Sequence, residues 1–529
     1  MQPGNKLSRY LILGLIILTG LMLRVDGLKW GIPKTPYWKA YHPDERVAFS
    51  LLLKMTTSDG SLNPHYFVNP TFHYYLIGSA WWVANQFHLV PSFKEAFGLV
   101  ESDSVTLEDV TRVWLTARSI SVILGILTIW LTYMLGMEFF EKEMYALAGA
   151  WMTAVMPTMV VQSHYLTVDG PVGFWFMAAL LLMIRAFKHD RLWFWVAAGL
   201  VSGLSVATKY NALPGIVTAF ALLCWWAVLK SGGKIGKIHI KAMIFAGCLA
   251  FGFLLGCPYA LISFSEWQSG IKGLLYYNDF ATDWLYPWLQ VSRLSLGWPA
   301  WMMFLFSWAA VFYKPDKQGT FLASVIMMYF LIYGYKASPY MRHMVLIIPL
   351  MILLIMYAME KVVGYSKRPI IKALLLFSVV FSSGYALANS LAWIKTMAGK
   401  DTREEATEYI KQQSPLGSDI GLTGKYWFYT PPLDETEYHL IRLEYEPAKL
   451  EYFHPPLIIM SEYEAKQYAF CRVGPEVRDE FFRMLKGHYT VKKTFQRVPR
   501  CCGIKFEGYP LADWNYFYPE ITIYERSFQ

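Results

Sequence analysis

The clearest chemistry in this sequence lies in one short run, His42-Pro43-Asp44-Glu45, which follows the first hydrophobic segment. Ionisable side chains at a membrane face are costly and usually functional. Pro43 suits the first position of a helix, so Asp44 and Glu45 would lie in its first turn. Neighbouring helical residues point about 100° apart, so both carboxylates cannot face one atom. We assign Asp44 as a general base. Glu45 either supports the site from behind Asp44 or orients the second reactant. The alternative is that both only favour a helix N-terminus.

Four other charged residues lie at the ends of apolar runs, where they could meet an anion. Asp169 is a second catalytic candidate, although it could simply begin the helix that follows it. Arg118 and Lys209 could bind a phosphate, or could only anchor their helices at the interface by snorkelling. Arg342 lies just outside an apolar run, on the side that is poor in positive charge, and we expect it to bind phosphate.

The remaining candidate residues near these positions are histidines. His164 and His343 are candidates for contacting a substrate. The alternative is that they are ordinary polar residues at the membrane interface. His42, His73, His164 and Asp169 are residue types that bind metals. Their spacing supports no metal site, so we predict no metal and no cofactor.

Membrane helices must position these residues. Of 529 residues, 55% are hydrophobic and only 16% are charged, whereas a soluble chain carries about a quarter charged residues. Each apolar run approaches the roughly 20 residues that cross a bilayer. The runs are 8–23, 113–136, 145–163, 170–187, 191–208, 212–229, 242–262, 295–313, 319–335, 343–360 and 370–391. We predict an α-helical polytopic membrane protein with about 11 transmembrane helices.

The basic residues indicate the orientation. They concentrate in alternate short loops, which are cytoplasmic by the positive-inside rule if the N-terminus is inside. Loops of this kind hold Lys142, Arg185, Lys188, Arg191, Lys230, Lys241, Lys314, Lys317, Lys361, Lys367 and Arg368. The loop 24–111 and the region 392–529 then face the other side. The net charge of +9 follows from this topology, so we expect membrane lipids as partners and no nucleic acid.

The two outer regions carry their own patterns. In the loop 24–111, apolar residues after Pro43 and aromatic residues over 72–82 predict interfacial helices, although the second could be an extra span. Beyond 391, Asp401 and Glu404 fit a capping box. The apolar stretches at 419–422 and 456–460 predict strands. We therefore expect a transmembrane catalytic domain at 1–391 and a small extracytoplasmic α/β domain at 392–529.

Three cysteines, Cys471, Cys501 and Cys502, lie in the predicted outer domain. In an oxidising compartment, Cys471 could form a disulfide with one of the adjacent pair. Cys501 and Cys502 are not expected to bridge each other, because disulfide geometry is restrictive.

Several motifs, in this order and on one side of the membrane, carry a family resemblance. They are His42-Pro43-Asp44-Glu45, Asn69-Pro70 leading to Tyr74-Tyr75, Arg118-Ser-Ile-Ser-Val-Ile-Leu-Gly125, His164-Tyr-Leu-Thr-Val-Asp169, Thr208-Lys209-Tyr210-Asn211 and Tyr340-Met341-Arg342-His343. Over roughly residues 5–415 the chain resembles the integral-membrane glycosyltransferases of the GT-C class. The nearer relatives are the protein O-mannosyltransferases and the lipid A aminoarabinose transferases.

The resemblance implies an inverting glycosyltransferase. Such an enzyme moves a sugar from a polyprenyl-phosphate carrier to a lipid, glycan or protein acceptor on the non-cytoplasmic side, here at the cytoplasmic (inner) membrane of the cell envelope. The catalytic positions would be Asp44, Glu45 and Asp169. The substrate-binding positions would be His42, Asn69, Arg118, His164, Lys209, Arg342 and His343. Asn69 replaces a lysine typical of aminoarabinose transferases, so another cation must hold the phosphate. The Trp-Trp-Asp signature of oligosaccharyltransferases is absent from the sequence.

The residue types suit this reaction. A leaving phosphate is a stable anion that needs a cation rather than a general acid, while the acceptor needs one base. A single carboxylate with Arg or Lys therefore suffices. The alternatives are a transporter or flippase of a lipid-linked sugar, which would carry ionisable residues near span midpoints, and a non-catalytic membrane scaffold.

Overall fold

The protein has a long helical region followed by a small sheet. A computed structural model describes residues 4–33, 40–57, 61–93, 95, 106–232, 236, 238–276, 284–336, 340–424, 429–462, 465, 475–506 and 513–527. The helices up to residue 398 are α1 Gly4–Val25, α2 Pro43–Thr57, α3 Phe72–Gln86, α4 Leu107–Phe139, α5 Glu143–Val155, α6 Pro157–Gln162, α7 Asp169–His189, α8 Leu192–Thr208, α9 Ala212–Lys230, α10 Ile238–Gly256, α11 Tyr259–Ile262, α12 Phe264–Tyr276, α13 Ser292–Leu296, α14 Trp298–Tyr313, α15 Lys317–Lys336, α16 Ile348–Tyr365 and α17 Pro369–Ala398. A π-helix at Pro287–Val291 and a 3-10 helix at Met341–Leu346 interrupt this series.

The apolar helices confirm a multispanning membrane protein. Within the described residues, 7 helices are long and apolar enough to cross a membrane. Three shorter apolar helices accompany them, at Leu192–Thr208, Trp298–Tyr313 and Lys317–Ile332. Each of the eleven predicted runs contains an apolar helix, but a count of eleven crossings stays a prediction.

The predicted run 145–163 is two helices rather than one. Helix α5 ends at Val155, Met156 is extended with ψ 122°, and α6 begins at Pro157. Proline lacks the N–H that a continuous helix would need, and it disfavours the helical conformation in the residue before it. The break redirects the chain, and the 163–168 loop that carries His164 follows the short second helix.

Helices α8 and α10 approach each other closely through glycine. A Cβ at Gly203 would lie 2.2 Å from the Leu249 carbonyl oxygen, and one at Gly252 would lie 2.3 Å from that of Leu200. Small residues allow such backbone contact between membrane helices. This packing fixes the end of α8 at Thr208, and therefore the position of Lys209.

Helix α16 occupies the centre of the helical region. All residues from Ile348 to Tyr357 are buried, as expected of a helix that is apolar on every side. The 3-10 helix Met341–Leu346 directly precedes it. The segment that carries Arg342 is therefore anchored to the core.

The region beyond residue 398 forms the predicted α/β unit. Its elements are α18 Thr402–Gln413, β1 Asp419–Leu422, β2 His439–Arg442, α19 Pro447–Phe453, β3 Leu457–Ser461, α20 Pro475–His488, β4 Tyr489–Phe495, β5 Arg500–Cys501, β6 Ile504–Lys505, a 3-10 helix Asp513–Phe517 and β7 Ile521–Arg526. The main sheet has the order β2-β1-β3-β7-β4. Strand β1 runs parallel to β2 and β3, whereas β7 is antiparallel to β3 and β4. As predicted, Asp419 begins a strand, and Asp401 caps α18 by accepting a hydrogen bond from the Arg403 N–H.

A buried junction joins the 24–111 loop to this α/β unit. The Trp30 indole N–H donates to Asp401 Oδ2 at 3.1 Å. The Arg403 guanidinium pairs with both Asp401 oxygens at 2.7 Å and lies 3.9 Å from the centre of the Tyr41 ring. We call Trp30, Tyr41, Asp401 and Arg403 the loop–domain junction. It holds the α/β unit against the chain that leads into His42.

Candidate active site

The predicted helix after His42 is present, and it separates the two carboxylates as expected. Helix α2 begins at Pro43, with Asp44 and Glu45 in its first turn. The His42 Nδ1 accepts the Asp44 backbone N–H at 3.2 Å. His42 therefore occupies the position of a helix N-cap, where a side-chain acceptor satisfies one of the free N–H groups. A neutral imidazole with its proton on Nε2 meets this requirement.

Asp44 faces an arginine and remains open to solvent. An Asp44 carboxylate oxygen lies 2.8 Å from a guanidinium nitrogen of Arg342, and the Asp44 side chain is 43% exposed. The pair joins the 24–111 loop to the 341–346 helix. The carboxylate thus keeps free acceptor positions beside a cation, as a general base next to an anion site requires.

Glu45 has a different position. Its two oxygens accept hydrogen bonds from Arg118 at 2.8 and 2.6 Å, and both side chains are fully buried. Glu45 also accepts the Leu166 N–H at 2.7 Å. The other terminal nitrogen of Arg118 donates to the carbonyl oxygens of Leu28 and Trp30 at 2.6 and 2.7 Å. These contacts join α4 to the 24–111 loop.

This buried pair bears on the roles predicted for Glu45 and Arg118. Neither side chain is exposed to a substrate, because each is enclosed and engaged by protein partners. Of the two predicted roles for Glu45, the buried position favours support of the site. Arg118 neutralises Glu45 and holds the loop, and its predicted role as a phosphate ligand stays a prediction.

Asp169 and Lys209 form a second ion pair. The Lys209 ammonium donates to Asp169 Oδ1, and the two side chains are 14% and 5% exposed. Asp169 begins α7, and Lys209 directly follows α8, whose position is set by the glycine packing described above. The structure thus brings these two predicted site residues together.

Electrostatic effects link this pair to Arg342. Burial would lower the pKa of Arg342, but the charges of Asp44, Asp169 and Asp513, together with Tyr516, raise it well above its usual value. Burial lowers the pKa of His343, and the nearby Lys209 and Arg342 charges lower it further. His343 therefore lies, neutral, near both cations.

The remaining predicted residues surround these pairs. Asn69 hydrogen-bonds Tyr74, whose pKa is raised by burial and also by the charges of Asp44 and Asp169. The His164 ring nitrogens lie 2.9 Å from the Val160 carbonyl oxygen and 2.7 Å from that of Asp26. Asn69 thus lies beside the site, whereas His164 joins the 163–168 loop to the end of α1.

His42 is enclosed by aromatic rings. Its ring centre lies 4.3 Å from that of Tyr165 and 5.0 Å from that of Tyr516. Burial, together with Arg342 and Arg118, lowers its pKa to about 3, although Glu45 opposes the shift. His42 is therefore neutral at physiological pH and caps the helix that carries Asp44.

Two residues that the sequence analysis did not single out complete the surroundings of Arg342. Asp513 accepts the backbone N–H groups of Met341 and Arg342 at 2.9 and 3.0 Å. The Tyr516 hydroxyl accepts from an Arg342 guanidinium nitrogen at 3.2 Å. Both come from the 3-10 helix near the end of the chain. An acidic residue in the aromatic stretch 513–518 was the only local signal, and it is weak.

The residues named in the metal prediction lie within the described ranges, whereas one cysteine of the disulfide prediction does not. In the described ranges, no three His, Cys, Asp or Glu residues come close enough together to hold a metal ion. Cys471 lies outside the described residues, so its predicted disulfide stays a prediction. Cys501 and Cys502 are not bonded to each other, and their sulfurs are 3.8 Å apart.

Comparisons with known proteins agree with this architecture. Residues 112–259 match the family model described as dolichyl-phosphate-mannose-protein mannosyltransferase. No curated protein matches the sequence. Among solved structures, the chain is similar to the archaeal oligosaccharyltransferase AglB from Archaeoglobus fulgidus, in complex with an inhibitory peptide and a dolichol-phosphate. The identity is 12% and the TM-score 0.52, over 97% of this chain and 75% of that one.

The second similar structure is ArnT from Cupriavidus metallidurans in the apo state. Its identity to this chain is 13% and its TM-score 0.52, and the match covers 98% of each chain. At such identities, a likeness over nearly the whole chain shows a shared fold. The chain therefore has the fold of the integral-membrane glycosyltransferases of the GT-C class.

Proposed function

We propose that this protein is an inverting glycosyltransferase that moves a sugar from a polyprenyl-phosphate carrier to a lipid, glycan or protein acceptor. The observation that carries the proposal is the Asp44 carboxylate, which is open to solvent and lies beside Arg342. Asp44 is in the first turn of α2, within the 24–111 loop. The match of residues 112–259 to a dolichyl-phosphate-mannose mannosyltransferase family supports a lipid-phosphate donor. The dolichol-phosphate in the complex of AglB supports it as well.

The proposed reaction is a single displacement. An acceptor hydroxyl or amine attacks the anomeric carbon while the bond from that carbon to the phosphate oxygen breaks. The electron pair of the broken bond stays on the phosphate, and Asp44 takes the acceptor proton. One displacement inverts the anomeric configuration. One carboxylate is sufficient because the phosphate leaves as a stable anion without a general acid, whereas a glycosidase uses two carboxylates.

The charge that develops on the phosphate needs cations in fixed positions. Arg342 is the principal one, because its planar fork can bind a phosphate through two donors. Lys209 is the second, held by Asp169. Phosphate binding competes with Asp44 for Arg342, so the donor would free the base as it binds.

The orientation and domain limits belong to the same proposal. The N-terminus is cytoplasmic, and the 24–111 loop and the 392–529 region face the other side of the cytoplasmic (inner) membrane. The transmembrane catalytic domain spans 1–391 and the α/β domain 392–529. Basic residues in the short loops support this arrangement. The contacts of Asp44 with Arg342 and of Asp513 with Met341 support it as well, because they join the 24–111 loop, the 341–346 helix and the α/β unit.

The test uses purified full-length protein in lipid nanodiscs. Polyprenyl-phosphate sugar with a labelled sugar is supplied with an envelope extract as the acceptor source. We expect release of polyprenyl phosphate and transfer of the label. NMR of the product should show that the anomeric configuration is inverted. Asp44→Asn should abolish most of this turnover, whereas Asp109→Asn, in the capping box of α4, should not. Movement of intact labelled lipid across a vesicle membrane without transfer would instead support a flippase.

A further inference from the structure

The helix that carries Arg342 receives its cap from a distant part of the chain. Met341 and Arg342 are the first two residues of the 3-10 helix, and Tyr340 before them provides no side-chain cap. Both N–H groups donate instead to the two oxygens of Asp513, at 2.9 and 3.0 Å. Asp513 lies in the 3-10 helix Asp513–Phe517 of the α/β unit, so it caps the Arg342 helix from outside it.

The contact between Asp513 and the two backbone N–H groups is buried, so each polar atom in it needs a partner. Asp513 is only 1% exposed. Burial raises its pKa, while the Arg342 charge and the two backbone N–H groups favour its ionised form. A buried carboxylate is tolerated where donors and a cation compensate it. The surroundings of Asp513 supply both, since its two oxygens bind the two free N–H groups and Arg342 supplies the positive charge.

Tyr516 contacts the guanidinium end of Arg342. Its hydroxyl accepts from the Arg342 guanidinium at 3.2 Å. Its backbone carbonyl accepts from Arg403 at 2.8 Å, which ties Tyr516 to the loop–domain junction. The backbone and the guanidinium of Arg342 are therefore both fixed by one short segment of the α/β unit.

We propose that Asp513 and Tyr516 are positioning residues for Arg342, and that the α/β domain thereby completes the phosphate site of the membrane domain. The inference rests on the proposed function, in which Arg342 binds the lipid phosphate. The domain is then part of the donor site. A guanidinium held at its backbone and at its tip loses less conformational freedom when it binds an anion.

The test measures binding of undecaprenyl phosphate alone to full-length protein in nanodiscs. The variants are Asp513→Asn, Arg342→Ala and the double substitution, with thermal unfolding of each. Asp513→Asn keeps the size but replaces one acceptor oxygen by a donor that opposes a backbone N–H. We expect its Kd to rise about tenfold or more. In the Arg342→Ala background, the same substitution should change Kd little, because Asp513 acts through Arg342.

The outcomes separate the inference from the proposed function. If Arg342→Ala leaves Kd unchanged, the phosphate role of Arg342 fails, and the inference fails with it. If Arg342→Ala weakens binding and Asp513→Asn does not, only the inference is overturned. Additive losses would also overturn it, because they indicate a general structural role. Asp419→Asn, at an exposed position of the same domain, is the matched control and should bind as wild type.

A second variant keeps the test decisive if Asp513→Asn does not fold. Tyr516→Phe removes only the hydroxyl and leaves the carbonyl contact to Arg403 intact. We expect a rise in Kd of about two- to tenfold, from the loss of one hydrogen bond to a charged group, and no further change in the Arg342→Ala background. An unchanged Kd for this variant would overturn the role of Tyr516.

Discussion

The carboxylate of Asp44 and the guanidinium of Arg342 are 2.8 Å apart, although they come from opposite ends of the helical region. Asp44 belongs to the 24–111 loop, and Arg342 precedes the central buried helix α16. If Arg342 binds the phosphate as proposed, the free energy of phosphate binding depends on Asp44, because a bound phosphate and Asp44 compete for the same cation. Substitutions of Asp44 and Arg342 should therefore affect turnover and donor binding differently.

Asp44→Asn should lower the single-turnover transfer rate by about 10²–10⁴-fold, because an amide cannot take the acceptor proton. Binding of the lipid phosphate should be retained or tightened, since Arg342 loses a competing carboxylate. Asn caps a helix nearly as well as Asp, so thermal stability should change little. Wild-type turnover with bound donor would end the catalytic role of Asp44.

Glu45→Gln should act on stability before it acts on chemistry. The substitution leaves Arg118 buried without its counter-ion, which typically costs about 3–5 kcal/mol of unfolding free energy. Thermal unfolding in detergent measures the loss. Glu141→Gln, at an exposed position near the other end of α4, is the control. A Glu45→Gln protein with wild-type stability and reduced turnover would instead support a direct role of Glu45 in orienting the acceptor.

Arg342→Ala should weaken binding of the polyprenyl-phosphate donor more than Arg342→Lys does. Lysine retains the charge, whereas it loses the planar fork that binds two phosphate oxygens. Donor titration of the purified variants in nanodiscs provides the measurement. Arg293→Ala, an exposed arginine that hydrogen-bonds Gln290, should bind donor as wild type. Equal affinities for wild type and Arg342→Ala would remove Arg342 from the site.

His42 should make the protein sensitive to mild acid. Its pKa is about 3 in the folded protein, because of burial, against an ordinary value of 6.5. The unfolded chain binds the proton first as pH falls. The stability linked to neutral His42 is complete above about pH 6.5 and declines from there toward pH 3, at about 1.4 kcal/mol per pH unit.

The substitution His42→Asn isolates this effect. An Asn side chain can still accept the Asp44 N–H, but it does not titrate. Unfolding between pH 7 and pH 5 should therefore be less pH-dependent in His42→Asn than in wild type. His73, whose pKa is also lowered to about 3 by burial, remains in both proteins. Parallel pH profiles of the two proteins would contradict the assignment.

The orientation can be tested with a reporter fused after Gln529. A reporter that is active only outside the cytoplasm, such as a periplasmic phosphatase, should be active in this position. A fusion at the basic loop around Lys230 should be inactive, which provides the internal control. Activity of the second fusion instead of the first would reverse the proposed topology.

The sequence predicted those parts of the fold and site that depend on local pattern. Pro43 with its two acidic neighbours predicted a helix that is present. Asp401 predicted a helix cap, and the apolar run at 419 predicted a strand, and both are observed. The angle between Asp44 and Glu45 predicted that they would face different partners. Such features follow from backbone geometry over a few residues.

The partners themselves were not predictable in this way. Nothing near Glu45 indicates that Arg118 will enclose it, because the contact depends on how α4 packs against the 24–111 loop. Snorkelling was the alternative for Arg118, and it does not describe this side chain, which is fully buried within the protein. Asp513 lies 171 residues from the Arg342 N–H that it accepts. Its role depends on tertiary docking that no local spacing encodes.

The capping of the Arg342 helix by Asp513 has a consequence for biosynthesis. If this contact completes the cation site, a nascent chain cannot assemble the site until the segment that carries Asp513 has been synthesised and has folded against the 341–346 helix. A stalled or truncated polypeptide would carry Asp44 and Lys209 but would lack an ordered Arg342. The unfinished protein would therefore remain inert toward lipid-linked sugars, and their hydrolysis by incomplete copies would be avoided.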